Sequence, residues 1–206
     1  AAGLFDQEDS FGTFAVYQTM EAKDVGNDKN FLAVGPWFHG QSQRDGATLG
    51  QMKWGADTSL YFRRYVLKPF FDRYLKDRAP AQPIAPVTAF ETGANAWRTA
   101  DRWPLTGAQA ATRKLYLLPG GKLGFDAPGA TEGFAEYVSD PARPVPYRHR
   151  PIRPVYASGS TWSQWLTDDQ RDVSTRPDVL TFVSEPLTAP LTISGDVAAT
   201  LMASTT

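Results

Sequence analysis

Apolar residues recur along this chain in two different rhythms. Over residues 10–23, Phe14, Tyr17 and Met20 return every third position, which predicts a helix with Ser10 as candidate N-cap. Gly26-Asn27-Asp28 reads as a turn, and residues 30–34 form a short apolar run closed by Gly35-Pro36, the pattern of a buried strand. Over residues 57–77, Phe62, Tyr65, Val66, Phe70 and Tyr74 share one broad face of a long helix, which Pro69 should kink or divide. Strand, loop and helix in succession predict an α/β sheet.

The rhythm changes after the stretch Ala79-Pro80-Ala81-Gln82-Pro83-Ile84-Ala85-Pro86. Closely spaced prolines fix φ and remove donors, so residues 79–86 read as a linker. Beyond it, short apolar pieces such as Val87-Thr88-Ala89-Phe90, residues 114–118 and residues 179–183 lie between Gly, Pro and Asp turn signals. Leu191-Thr192-Ile193-Ser194 alternates as a half-buried strand would, and residues 198–202 look strand-like. This half predicts an all-β sandwich or jelly roll.

Composition narrows the function classes. A chain of 206 residues with 42% hydrophobic and 21% charged residues is globular in character and sized for one domain or two small ones. A net charge of -1 without like-charge runs gives no footprint for nucleic acid or an anionic membrane. No apolar stretch approaches the roughly 20 residues that span a bilayer, and no leader pattern is expected at the start. Cysteine is absent, which removes disulfides, thiolate metal sites and cysteine nucleophiles. Only two histidines occur, His39 and His149, so a histidine-rich zinc site is not expected.

His39 follows a predicted strand in Gly35-Pro36-Trp37-Phe38-His39-Gly40, where α/β enzymes place catalytic groups. The competing reading is a loop histidine bonded only to backbone. Asp6, in Gly3-Leu4-Phe5-Asp6-Gln7-Glu8-Asp9, occupies the equivalent place one strand earlier. Successive parallel strands would bring the two ends side by side, letting Asp6 accept the Nδ1 proton of His39. A nucleophile does not follow. The elbow Gly-x-Ser-x-Gly is missing from these residues, and Gly46-Ala47-Thr48-Leu49-Gly50 mimics it with no preceding strand. Gly120-Gly121-Lys122 lacks the rest of a phosphate loop. His149, in Tyr147-Arg148-His149-Arg150, reads as solvated surface, and Arg63-Arg64 as the polar side of a helix. Trp97, Trp103, Trp162 and Trp165 read as filling or bordering the sandwich core, against a sugar-binding face.

These motifs resemble the α-amino-acid ester hydrolases, serine enzymes of the wider group that includes cocaine esterase, glutaryl-cephalosporin acylase and X-prolyl dipeptidyl peptidase. Residues 90–98 (Phe-Glu-Thr-Gly-Ala-Asn-Ala-Trp-Arg), Tyr137-Val138-Ser139-Asp140-Pro141 and Pro186-Leu187-Thr188-Ala189-Pro190-Leu191 agree. Gly-Pro-Trp-x-His is typical of the wider group, and Asp-Gln-Glu-Asp is narrower.

The resemblance implies the C-terminal part of an α/β-hydrolase domain over residues 1–78, the linker, and the first part of a jelly roll over residues 87–206. It implies Asp6 and His39 as triad members whose serine lies outside this chain, and Glu8 and Asp9 as binders of the substrate's α-ammonium. Acidic residues also favour helix starts, so both roles can hold together. The implied substrates are α-amino acyl esters and amides, β-lactam side chains included, with no cofactor or metal. The implied partners are the remainder of the same polypeptide and further copies, as a periplasmic or secreted homotetramer; neither nucleic acid nor membrane is expected. Two alternatives stay open: a related esterase, acylase or X-prolyl peptidase without α-amino selectivity, and a non-catalytic jelly-roll binding module.

Overall fold

The computed structural model describes residues 1–77, 83–106, 111–129 and 133–205. The chain forms two compact units, Ala1–Ala108 with Ile193–Thr206, and Gln109–Thr192. The first unit contains β1 (Ala2–Gly3), α1 (Gly12–Glu21), β2 (Leu32–Gly35), β3 (Thr48–Leu49), β4 (Met52–Lys53), α2 (Thr58–Phe62), a π turn (Arg63–Leu67), α3 (Lys68–Leu75), β5 (Val87–Glu91) and β6 (Ala96–Ala100). Its main sheet has the order β1-β2-β5-β6. β1, β2 and β5 run parallel, and β5 turns back into antiparallel β6.

Side chains alternate across a strand, so β2 serves two cores. Leu32 and Val34 pack with Ala2, Val87, Ala89 and Tyr17 of α1 on one face. Ala33 points to the other, where it meets Trp37 and Phe62. Helices therefore cover both faces, as the parallel strands require.

The second helical stretch is α2 and α3 joined without a break by the π turn. Asp57 caps α2 by accepting the Leu60 N–H, the π turn follows, and Pro69 is the second residue of α3. Proline has no N–H for a carbonyl one turn back, and the wider turn absorbs that loss without ending the helix. Ser10 does not cap α1. The cap position is Phe11, without a side-chain bond, because residues 6–9 are already turned around the Asp6 carboxylate.

The larger difference concerns Val87. The linker reading falls partly on residues 79–82, which lie outside the described residues. Residues 83–86 are irregular and lead into β5, and the Leu32 N–H donates to the Pro86 carbonyl at 2.8 Å. The run from Val87 pairs with β2 in the α/β sheet, so the first unit extends past the expected boundary. A short apolar run reads alike as sandwich strand or buried parallel strand, and only its partner separates the two.

In the second unit β7 (Tyr116–Leu118) and β8 (Lys122–Gly124) form a hairpin, and β9 (Val183–Ser184) adds in parallel. Trp162–Thr167 is a 3-10 turn. The architecture is thus mixed sheets with few helices. Only parts of the expected strands at 114–118 and 179–183 are extended pairs. Residues 191–194 and 198–202, expected as strands, are irregular. Alternation marks a face but supplies no partner, and an unpaired strand has no ladder to hold it.

A buried polar net fixes the loop after β2. Trp37 Nε1 donates to Thr58 Oγ1 at 2.9 Å, and that hydroxyl donates to the Gly46 carbonyl at 2.8 Å. Ser59 Oγ donates to the Gln41 carbonyl at 2.9 Å. Gln41 Nε2 donates to the carbonyls of Asp45 and Thr48 at 3.0 and 2.8 Å. A Cβ on Gly46 would stand 2.2 Å from Ser59 Oγ, so only glycine permits this approach. Arg63 does more than face solvent: its Nη1 donates to the carbonyls of Ser42 and Arg44, both at 2.8 Å.

Two predictions follow from these bonds. Thr58→Val removes both hydroxyl bonds and leaves the Trp37 N–H buried without its acceptor. Chemical denaturation should read a loss of about 1–3 kcal/mol, and an unchanged midpoint would refute the role given to the net. The second concerns acid. Asp24 closes the α1–β2 connection by accepting the N–H groups of Lys29 and Asn30 at 2.9 and 2.8 Å, and these bonds hold its carboxyl below the ordinary range. Lys68 and Lys76 likewise pull Asp72 down to about 2. A lowered folded-state value contributes stability that is present above the unfolded value and lost as pH falls. The melting temperature should therefore drop from about pH 4 downward, with a shallower drop in Asp24→Asn, as circular dichroism would read.

Candidate active site

The site begins with the pairing of β1 and β2. Ala2 lies opposite Val34 and Gly3 opposite Gly35, so both chains leave the sheet at the same edge. Beyond the strands, the Leu4 N–H donates to the Gly35 carbonyl at 2.9 Å and the Phe5 N–H to the Trp37 carbonyl at 3.0 Å. Two glycines make this possible. A Cβ on Gly3 would lie 2.4 Å from the Trp37 carbonyl oxygen, and one on Gly35 would lie 2.2 Å from the Trp37 ring. The Gly-Pro-Trp motif is thus a packing device: the indole folds back over a residue with no side chain.

His39 and Asp6 stand just past this edge. Nδ1 of His39 is 3.2 Å from each oxygen of the Asp6 carboxylate. An ionised carboxylate only accepts, so Nδ1 carries the hydrogen and Nε2 is the basic nitrogen of the neutral ring. Asp6 is buried, and its Oδ1 also accepts the N–H groups of Glu8 and Asp9 at 2.8 and 3.0 Å. Backbone donors thus stabilise the charge where water is scarce. The His39 side chain remains 42% exposed, open to a reactant.

Glu8 Oε2 lies 3.7 Å from His39 Nε2, an ion-pair distance beyond hydrogen-bond reach. Glu8 is exposed, so its carboxylate sits at the mouth of the site. Asp9 is exposed too, with Oδ1 over the start of α1 at Gly12. The structure therefore gathers Asp6, Glu8 and His39 at one point, while Asp9 joins through its backbone N–H. Gln7 completes the turn by accepting the His39 backbone N–H on Oε1 at 3.3 Å. Sequence reasoning gave Gln7, Gln41 and Thr58 no role of their own and read Arg63 only as the polar side of a helix. Side-chain bonds to a distant loop leave no spacing signal.

The remaining candidates fall elsewhere. Thr48 begins a β3–β4 ribbon and is no strand-to-helix elbow. Gly120 and Gly121 adopt φ of 74° and 73° in the β7–β8 turn. His149 is an exposed residue with Nε2 3.3 Å from Asp172. Trp97 and Trp103 pack against the first unit's cores, and Trp162 and Trp165 are half-buried in the 3-10 turn of the second. Among the described residues no three His, Cys, Asp or Glu side chains gather to hold a metal, and no helix is long and apolar enough to cross a membrane.

Known proteins match this chain along its length. Residues 81–206 match the family described as the X-Pro dipeptidyl-peptidase C-terminal non-catalytic domain. Cocaine esterase of Rhodococcus sp. (strain MB1 Bresler) is 31% identical over 185 residues, covering 84% of this chain and 30% of the esterase. A putative serine esterase of Mycobacterium bovis (strain ATCC BAA-935 / AF2122/97) is 28% identical, covering 100% of this chain and 30% of the relative. Two solved structures superpose well. An aminopeptidase from the marine sediment archaeon Thaumarchaeota archaeon has a TM-score of 0.83 and 50% identity, covering 90% of this chain and 30% of its own. An α-amino acid ester hydrolase has a TM-score of 0.85 and 49% identity, covering 94% and 32%. The chain thus spans about a third of the length of these proteins. It belongs to the family of X-Pro dipeptidyl-peptidase, cocaine esterase and α-amino acid ester hydrolase, with residues 81–206 in that family's C-terminal non-catalytic domain.

Proposed function

We propose that this chain supplies the acid–base half of a serine hydrolase acting on esters and amides of α-amino acids, side chains of β-lactam antibiotics included. The observation that carries the reading is the Asp6 carboxylate set against His39 Nδ1, with both oxygens at 3.2 Å. Asp6 fixes the ring's tautomer and stabilises the imidazolium that forms when Nε2 takes a proton. In this reading a serine outside these 206 residues attacks the ester or amide carbonyl as Nε2 removes its proton. The protonated ring then gives that proton to the departing alcohol or amine, leaving an acyl-enzyme. A water, deprotonated by the same nitrogen, releases the acid. We read the second unit as part of a jelly roll without a catalytic role.

Glu8 supports the amino-acid substrate class. It holds an exposed carboxylate beside the basic nitrogen, where an acyl group's α-ammonium would come to rest, and charge-assisted bonds there favour that cation. Asp9 adds a second negative charge on the same turn. The likeness to two solved relatives, described as an aminopeptidase and an α-amino acid ester hydrolase, supports this substrate class. A plain esterase is the second reading, favoured by the likeness to cocaine esterase.

The test uses the polypeptide that carries both this chain and its serine. Glu8→Ala and Asp9→Ala should each reduce the preference for phenylglycine methyl ester over methyl phenylacetate by about tenfold to a hundredfold, as lost hydrogen bonds to a charge do. A preference surviving both changes would establish the plain esterase instead. The 206-residue chain alone should leave phenylglycine methyl ester intact, and sustained turnover by the pure chain would sink the division of labour proposed here.

A further inference from the structure

We propose that Gln7 is a positioning residue that sets the placement of His39 relative to Asp6. The inference rests on the acid–base reading above and goes further by giving the uncharged member of Asp6-Gln7-Glu8-Asp9 a task. His39 lies between a strand and a 3-10 turn, so no ladder holds its backbone. Two side-chain amides bond adjacent N–H groups there instead. Gln41 Oε1 accepts the Phe38 N–H at 3.2 Å, and Gln7 Oε1 accepts the His39 N–H at 3.3 Å. Gln41 belongs to the same loop as His39, and its other bonds go to Asp45 and Thr48 of that loop. Gln7 belongs to the loop of Asp6, so its bond ties the His39 backbone to that loop, beside the side-chain contacts of Asp6 and Glu8.

That tie matters because the residue after His39 has no side chain to pack against the fold. Gly40 has a φ of 77°, and the space beside it is open. A shift of the His39 Cα would move the imidazole against a carboxylate that is itself held by two backbone donors and cannot follow. The turn at residues 6–8 thus addresses His39 three times: Asp6 at Nδ1, Glu8 facing Nε2, and Gln7 at the backbone N–H. An amide oxygen serves the third contact without adding another negative charge beside two carboxylates.

The experiment compares Gln7→Leu, which keeps the bulk and loses the acceptor, with Gln7→Glu, which keeps an acceptor oxygen, in the polypeptide carrying the serine. Gln7→Leu should lower kcat by about 10²-fold with KM for phenylglycine methyl ester within about twofold, since misplacement by an ångström costs that much. Gln7→Glu should restore most of the rate. Amide hydrogen exchange at His39, read by NMR on the same proteins, should be fast in Gln7→Leu and protected in wild type and Gln7→Glu. Wild-type kcat in Gln7→Leu, or a lost rate with the His39 amide still protected, would overturn the proposal. Should Gln7→Leu fail to fold, Gln7→Met carries the same comparison. If His39→Ala retains full turnover, the acid–base reading fails, and exchange at His39 still decides whether Gln7 holds that backbone.

Discussion

The structure depends on one close approach, that of the Gly3 backbone to the carbonyl of Trp37. Parallel pairing of β1 with β2 sends two loops off the same sheet edge, but pairing alone would leave them a strand spacing apart. The missing side chain at Gly3 lets the first loop drop onto the second, and the missing side chain at Gly35 lets the Trp37 indole fold underneath. Trp37 then spends its N–H on Thr58 and its face on Phe62, which couples the loop to α2. Strand ends, loop and helix are thereby joined through one aromatic residue, and any Cβ at either glycine would have to displace backbone or indole.

The electrostatics follow from that approach. A buried carboxylate is costly unless its lone pairs are used. Asp6 uses them on two backbone donors and one imidazole, which leaves its carboxylate facing His39. Glu8, two residues on, is exposed and answers to solvent or to an incoming cation. Two carboxylates on one turn therefore differ in surroundings, one enclosed beside His39 and one open to solvent.

Much of this was legible in the sequence, for reasons particular residues make plain. Residues 30–34 announced β2 because an apolar run between turn signals has few other homes. Asp6 and His39 announced a pair because each follows such a run before a polar turn. The strand from Val87 was legible as a strand but not as a member of the same sheet, since a short apolar run does not name its partner. Pro69 signalled a disturbance, yet the remedy, a π turn, depends on how the helix packs. Residues 191–194 alternate convincingly and form no strand, because alternation describes a face and a ladder needs a neighbour. The bonds of Gln7, Gln41, Thr58 and Arg63 were not legible, as polar residues on loops and helix starts are ordinary until their partners are seen.

A final consequence concerns where preorganisation resides. The described bonds that hold Asp6 and His39 come from residues 3–63: the glycine contacts, the backbone donors of Glu8 and Asp9, the two glutamines, Thr58, Ser59 and Arg63. The parallel strand β5 adds a flat neighbour to β2, and Trp97 of β6 packs beside Trp37. No bond in this set needs a nucleophile. A base whose orientation is fixed before its reactant arrives meets the transition state without reorganising, and fixed dipoles of that kind are where much catalytic stabilisation originates. In the reading proposed above, the pair is shaped by one stretch of chain and the nucleophile by another, provided the sheet edge brings them within a hydrogen bond. That separability explains how a triad can be distributed over distant parts of a sequence: each part needs only to be rigid on its own account.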